Sequence, residues 1–298
     1  MKNNTSNSKL ILGTAQLLSN YGINNQETSF SLEEALALLN EAANNNINTL
    51  DTASNYIDSY AVIEKYNDIK FNNFSIIDKV SSNAVLNFEK LKYPTHWPWL
   101  SFFKKNGGNI CLMLHNGHDY YKPQIRKSLQ KCKELDLISE IGVSIYQDED
   151  IQKYIDLGGL DVIQVPFSIV NRKKNYINLI NKCQSNGITI HTRSVFMQGL
   201  LLNLPKKIPQ NFTKYKNAFN KFCYIAPTVN DRIAILLASV IKDLDSSIII
   251  GVDNMHQLKI IIKAYKLTYS ISNSDINKSR KIWENMPGDI TDPRQWKI

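Results

Sequence analysis

Short apolar runs alternate along this chain with longer amphipathic ones. Leu10 to Leu12, a brief run at Ile47 to Asp51, then Phe74 to Val80, Ile110 to Leu114, Ile138 to Val143, Asp161 to Val165, Gly187 to His191 and Ser247 to Gly251 read as strands. Most lack a polar face, the pattern expected of strands covered on both sides. Helical periodicity fills the gaps. Ser31 caps a first helix, with Glu34 completing a capping box and Leu32, Ala35, Leu36, Leu39 and Ala43 on its apolar face. Further helices are expected around Ala61 to Ile63, from about Pro123 to Leu135, before Asp161, and over Lys174 to Ser185, Asn230 to Lys242, Met255 to Tyr269 and Ser274 to Glu284. An insertion, Leu204 to Pro227, predicts a short helix at Tyr215 to Phe222. Between Ser81 and Gly108, Pro94 and Pro98 limit any helix to short pieces among Trp97, Trp99 and their neighbours. A coil tail runs from Met286 to Ile298.

Eight strand-helix repeats predict an α/β fold, a (β/α)8 TIM barrel, as one domain over residues 1–298. A doubly wound open sheet is the rival. No G-x-G-x-x-G follows the first strand, so a Rossmann nucleotide site has no support.

Composition narrows the function. The net charge, 35 minus 27 giving +8, raises the question of nucleic acid, but pairs such as Lys104-Lys105 and Lys206-Lys207 are short and scattered, so no nucleic-acid stripe is expected. Cys111, Cys132, Cys183 and Cys223 stand far apart without metal spacing, which fits a reduced, cytoplasmic setting. The first eight residues are polar, and the longest apolar run, Ile233 to Ile241, is too short to span a bilayer, so no membrane association is expected.

The chemistry gathers at strand ends. Asp51 closes the second strand, Tyr56 follows five residues later, Lys79 ends the third strand and His115 follows the fourth. In a barrel those positions share the catalytic mouth. Taken singly each has a plainer role, Asp51 as a helix cap, Tyr56 as a lid, Lys79 as a solvated strand end and His115 as a core histidine. Within the third strand, Asp78 and Lys79 must face opposite sides.

The order Asp, Tyr, Lys, His, with Asp51-Thr52-Ala53 and Tyr56, resembles the tetrad of the aldo-keto reductase superfamily, and the resemblance is to bacterial members with short loops. Leu12-Gly13-Thr14, Ile141-Gly142-Val143-Ser144, Ile163-Gln164-Val165-Pro166-Phe167 and Ile249-Ile250-Gly251 resemble further landmarks of that family. The resemblance implies NADPH- or NADH-dependent reduction of an aldehyde, ketone or open-chain sugar. Tyr56 would be the general acid, its high pKa lowered by the Lys79 ammonium, with Asp51 holding Lys79 and His115 orienting the substrate oxygen.

The resemblance also implies a cofactor site. Ser144 and Gln164 would hold the nicotinamide amide, Phe196 can stack on the ring or simply pack its loop, and Ser194, Gly199 and Leu200 would reach the pyrophosphate through their backbone. Gly13 and Thr14 join this set, as do Gly251, Asp253, Asn254 and Gln257 at the start of the last barrel helix, whose amides and dipole suit phosphate. Asp253 stands where a basic residue often grips the 2′-phosphate, Ile261 where an Asn is common against adenine, and Ile145 where strand five often has Asn, which opens the choice between NADP and NAD. Arg193 reads equally as an anchor for an anionic substrate or as the partner of a barrel-end carboxylate. Two other functions fit this sequence less well. A nicotinamide-binding regulatory protein with little turnover runs against the intact tetrad. A metal-dependent hydrolase has His115 and His191 available but no H-x-H pair, so no metal site is expected.

Overall fold

The computed structural model describes residues 8–17, 30–70, 74–89, 108–146, 150–172, 174–284, 286–292 and 296. Eight parallel strands close into a barrel in sequence order. They are β1 (Leu10–Gly13), β2 (Thr49–Ala53), β3 (Ser75–Val80), β4 (Ile110–Leu114), β5 (Glu140–Ser144), β6 (Val162–Pro166), β7 (Thr189–Arg193) and β8 (Ser247–Ile250). Closure rests on β1 and β8, where Leu12 pairs with Ile250. The fold is the expected (β/α)8 barrel.

Helices α1 (Leu32–Asn44), α2 (Ile57–Lys70), α3 (Ser82–Glu89), α4 (Pro123–Glu134), α5 (Ile151–Leu157), α6 (Lys174–Ser185), α7 (Lys216–Ile225), α8 (Val229–Leu244), α9 (Met255–Leu267), α10 (Asn273–Trp283) and the single turn α11 (Gly288–Thr291) accompany the strands. Their ends follow the sequence. Ser31 and Glu34 form the reciprocal capping box on α1, Thr228 and Asp231 form another on α8, and Pro123 opens α4 where its missing N–H costs nothing. Only the eight-residue α3 occupies the start of the proline-rich segment, and the part around Trp97 and Trp99 lies outside the described residues.

The strand pattern explains the layering. In β4, Ile110, Leu112 and Leu114 turn outward to the main core beneath the helices, while Cys111 and Met113 turn inward to Ile11, Ile77 and Val162. Each fully buried Leu or Ile stabilises the fold by roughly 1.5–3 kcal/mol, so a strand apolar on both faces commits both sides to the interior. Gly142 of β5 makes room for this inner cluster, since a Cβ there would lie 2.9 Å from Met113 Cε and 3.1 Å from Cys111 Sγ.

Two strands start later than the apolar runs suggest. The chain turns through left-handed backbone at Asp136 (φ 55°) and Gly187 (φ 79°), and pairing begins only beyond those turns, at Glu140 and Thr189. For β7 the delay carries the strand on to Arg193.

The segment after β7 folds back under a buried cation. Arg232 of α8 donates from Nη1 to the carbonyls of Ala226 (3.1 Å) and Pro227 (3.0 Å) and from Nη2 to that of Leu202 (3.1 Å). The C-terminal part docks on the same segment, with Trp283 edge-on to Phe219 and Phe222, and Trp296 edge-on to Phe212 at 5.0 Å. Among the described residues, no single helix is long and apolar enough to cross a membrane.

Candidate active site

Strand alternation sorts the two charged residues of β3. Lys79 turns inward and its ammonium pairs with the Asp51 carboxylate. Asp78 turns to the helix layer, where Tyr60 of α2 donates to it; burial, reinforced by that carboxylate, pushes the Tyr60 phenol far above its ordinary value. Tyr60 is therefore a structural phenol, and Tyr56 is the tyrosine that meets the lysine.

The Asp51–Lys79 pair is sealed. Only 4% of the Asp51 side chain and 8% of the Lys79 side chain reach solvent. Burying two charges is costly unless every oxygen and ammonium proton finds a partner. Here the second carboxylate oxygen of Asp51 accepts from Gln164 Nε2 at 2.7 Å, and Gln164 Oε1 accepts from Ser144 Oγ at 3.5 Å. A polar chain thus runs Lys79, Asp51, Gln164, Ser144 through β3, β2, β6 and β5.

Tyr56 sits at the exit of β2. Its N–H donates to the Ala53 carbonyl (2.8 Å), its carbonyl accepts from Ser59 (2.9 Å), and Ser54 N–H ties the turn to the Lys79 carbonyl (2.8 Å). This places the Lys79 ammonium 5.8 Å from the centre of the half-buried Tyr56 ring. His115 stands on the rim just past β4, its N–H held by the Val80 carbonyl at 2.9 Å. Partial burial, then the nearby Lys79 and Arg193 charges, hold its imidazole below the ordinary value, with Asp51 opposing. At neutral pH the ring is uncharged and offers one N–H donor.

Below the rim lies His191, inward on β7 and level with Gln164. Burial lowers its pKa to about 4 against the pull of Asp51, and its Nδ1 has no hydrogen-bond partner. Cys111 lies in the inner cluster, where burial pushes its thiol well up, so it is no nucleophile. At the end of the same strand, Arg193 donates from Nη2 to the Ile145 carbonyl (3.0 Å) and stacks 4.6 Å from the Tyr146 ring centre.

The residues expected at a cofactor fall into three groups. A Cβ added at Gly13 would lie 3.3 Å from the Ile250 carbonyl oxygen, and Thr14 is fully buried, giving both its N–H (2.9 Å) and its hydroxyl (3.2 Å) to the Asp51 carbonyl. Thr14 is a brace between β1 and β2 with no side-chain surface to offer. After β7, Ser194 (φ 64°), Met197 (φ 51°), Gln198 (φ 52°) and Gly199 (φ 83°) adopt left-handed backbone, unusual for three non-glycine residues so close together. Phe196 and Leu200 are buried, so Leu200 contributes backbone alone.

At the start of α9, Asn254 accepts from Gln257 N–H (2.9 Å), while Gln257 Oε1 accepts from Asp253 N–H (2.9 Å) and its Nε2 donates to Asp253 Oδ2 (3.2 Å). Asp253 is thereby fixed beside the helix N-terminus. Gly251 lies under Gln16, whose Nε2 would be 2.6 Å from a Cβ there. Ile261 is buried in the main core.

What sequence reading missed is chiefly the partnership of Gln164 with Asp51. It joins residues 113 positions apart, and only the barrel's closure brings them level.

Most of the chain is similar to solved structures described as aldo-keto reductases or a related dehydrogenase. An aldo-keto reductase from Bacillus halodurans in its holo form is 15% identical, with a TM-score of 0.69 over 92% of this chain and 91% of that one. The glycerol dehydrogenase of Gluconobacter oxydans is 17% identical, with a TM-score of 0.69 over 94% and 92%. An aldo-keto reductase from Klebsiella pneumoniae in complex with NADPH is 16% identical, with a TM-score of 0.66 over 92% and 90%. At such identities the likeness carries the fold alone. No curated protein sequence matches the chain. The model of the aldo/keto reductase family matches residues 104–284, a span that holds His115, Ser144, Gln164 and Arg193 but begins after Asp51, Tyr56 and Lys79. By that match, over more than half its length, the chain belongs to the aldo/keto reductase family.

Proposed function

We propose that this protein reduces a carbonyl group to an alcohol with NADH or NADPH, and that Tyr56, Lys79, Asp51 and His115 carry the reaction. The observation that carries the reading is the sealed Lys79 ammonium, held by Asp51 and lying 5.8 Å from the Tyr56 ring. A lysine at a solvated strand end would do nothing for a phenol. One kept in a low-dielectric site, with its counter-charge locked by Gln164, stabilises a phenolate and so brings a tyrosine into the range of a useful acid.

The residues present fit a nicotinamide cofactor. Among the described residues Gln164 Oε1 is met only by a 3.5 Å contact from Ser144 and can accept from a carboxamide, the left-handed Ser194, Met197, Gln198 and Gly199 shape the turn beyond β7, and α9 presents its N-terminus. When bound, the reduced nicotinamide supplies the hydride. Tyr56 hydroxyl gives its proton to the developing alkoxide, Lys79 stabilises the phenolate left behind, and His115 donates its one N–H to the substrate oxygen and fixes the angle of approach. Asp51 and Gln164 hold Lys79 in place and touch no substrate. Asp253, fixed by Gln257, repels a 2′-phosphate and can accept from a ribose 2′-hydroxyl, which favours NADH.

Titration with NADPH and then NADH, followed by quenching of tryptophan fluorescence, tests the cofactor without knowledge of the substrate. A panel of aldehydes and ketones is then assayed with Tyr56→Phe beside the wild type. Binding of a reduced nicotinamide, tighter for NADH, and a loss of about 10²–10⁴ in kcat for the variant are expected. Folded protein that binds neither cofactor, or a variant that turns over as fast as wild type, overturns the reading.

A further inference from the structure

One charge at the mouth has no counter-charge among the described residues. Lys79 is neutralised by Asp51, both of whose oxygens are occupied, and His115 is uncharged at neutral pH. Arg193 is different. It ends β7 on the inward face shared with His191, and among the described residues it pairs with no carboxylate. Among the described residues its one hydrogen bond goes to the neutral Ile145 carbonyl, and its plane rests on Tyr146. Of the two roles the sequence left open for it, a partner carboxylate is not found among the described residues.

The surroundings point the guanidinium at the reaction. Arg193 ends β7 on the inward face, tied to the residue that follows β5, so it stands at the same strand-end mouth as Lys79 and His115, and its charge adds to the lowering of the His115 pKa. A partly desolvated guanidinium with most of its fork uncommitted is unfavourable in the free protein unless something anionic completes it. The Tyr146 ring and the Ile145 carbonyl fix its plane in advance, which lowers the entropy lost when a ligand docks. The planar fork matches the two oxygens of a carboxylate or phosphate.

We infer that Arg193 is the anion anchor of the substrate site, and that the carbonyl compound reduced here carries a carboxylate or a phosphate. This deepens, and rests on, the reductase reading above. His115 and Tyr56 take the carbonyl end and Arg193 the charged end, so the substrate is held at two points and the hydride can reach only one face.

The test uses matched pairs that differ in one anionic group: 4-oxobutanoate against butanal for carboxylate, and glyceraldehyde 3-phosphate against glyceraldehyde for phosphate. In the wild type, kcat/KM for the charged member of one pair exceeds that of its neutral partner by about 100-fold, the worth of one to two charge-assisted hydrogen bonds. The pair that shows the preference identifies the anion. In Arg193→Met that ratio falls toward one, chiefly through KM, and Arg193→Lys restores part of it, which a merely structural brace would not do. Equal use of charged and neutral members by the wild type, or a variant that lowers both alike, overturns the proposal.

Direct binding separates this proposal from the reductase reading. If no carbonyl is turned over, calorimetric titration with succinate and with inorganic phosphate is compared between wild type and Arg193→Met. Binding that disappears in the variant upholds the anchor while the reductase reading fails. Absence of binding to the folded wild type, or binding that survives the substitution, overturns the anchor.

Discussion

Mild acid should destabilise this protein through one buried imidazole. His191 is only 8% exposed, and burial lowers its pKa from the ordinary 6.5 to about 4 despite the nearby Asp51 carboxylate. The folded value lies below the unfolded one, so as pH falls through 6.5 the unfolded chain takes up this proton first. Above pH 6.5 the ring is neutral in both states and costs nothing; below it, stability is lost continuously until the folded form also protonates near pH 4. At ~1.4 kcal/mol per pH unit, the full loss is about 3 kcal/mol, with about 2 kcal/mol of it reached by pH 5. Other groups titrate over the same interval, so the informative quantity is a difference. Urea unfolding of the wild type and of His191→Leu would be followed at several pH values between 7.5 and 4.5. The wild type should lose about 2–3 kcal/mol relative to the variant across that interval, whatever gap the packing change sets at pH 7.5. A gap that stays constant with pH would refute the reasoning and show that the folded protein accommodates the imidazolium.

Other substitutions probe the remaining features. Arg232→Met leaves the Ala226, Pro227 and Leu202 carbonyls without their donor, and should lower stability by about 2–4 kcal/mol in denaturant titrations and expose the 200–227 segment to limited proteolysis. Gly142→Ala drives a methyl against Met113 and should cost about 1–3 kcal/mol; in combination with Met113→Ala the loss should be clearly less than the sum of the two single losses, and strict additivity would contradict the contact. Asp253→Lys should shift the ratio of NADPH to NADH affinity toward NADPH by at least about tenfold, measured by the same fluorescence titration, and an unchanged ratio would remove Asp253 from the ribose site.

The barrel was legible because strands such as β4 are apolar on both faces and the turns carry their own chemistry. Ile110 to Leu114 and Ser247 to Ile250 could hardly be anything else, and the Ser31–Glu34 capping box announced α1. Strand starts were less legible, since the apolar runs at Ile138 and Gly187 begin two residues before pairing does, at Glu140 and Thr189. Alternation alone separated Lys79 from Asp78, and the chain's order put Asp51, Tyr56 and His115 near one end. Partnerships across the barrel could not be read that way. Thr14, expected at the cofactor, also braces β1 against β2; Gln164, expected at the nicotinamide amide, also holds Asp51; and Asp253 is fixed by a glutamine one turn on. Each depends on which side chains a closed sheet brings level, and no local pattern encodes that.

The bond from Gln164 to Asp51 has a consequence for how the chain is made. Asp51 and Lys79 leave the ribosome early, but the amide that completes the carboxylate arrives 113 residues after Asp51, and the strand that closes the barrel against β1 later still. Until then, the pair can only be hydrated, as two charged groups in an open sheet. Its burial is therefore among the last events of synthesis, tied to the joining of two halves of the barrel. An amino-terminal half made alone would hold Asp51, Tyr56, Lys79 and His115 yet leave their carboxylate wet, with its lysine free to wander, so competence at this mouth is a property of the finished ring and of no fragment of it.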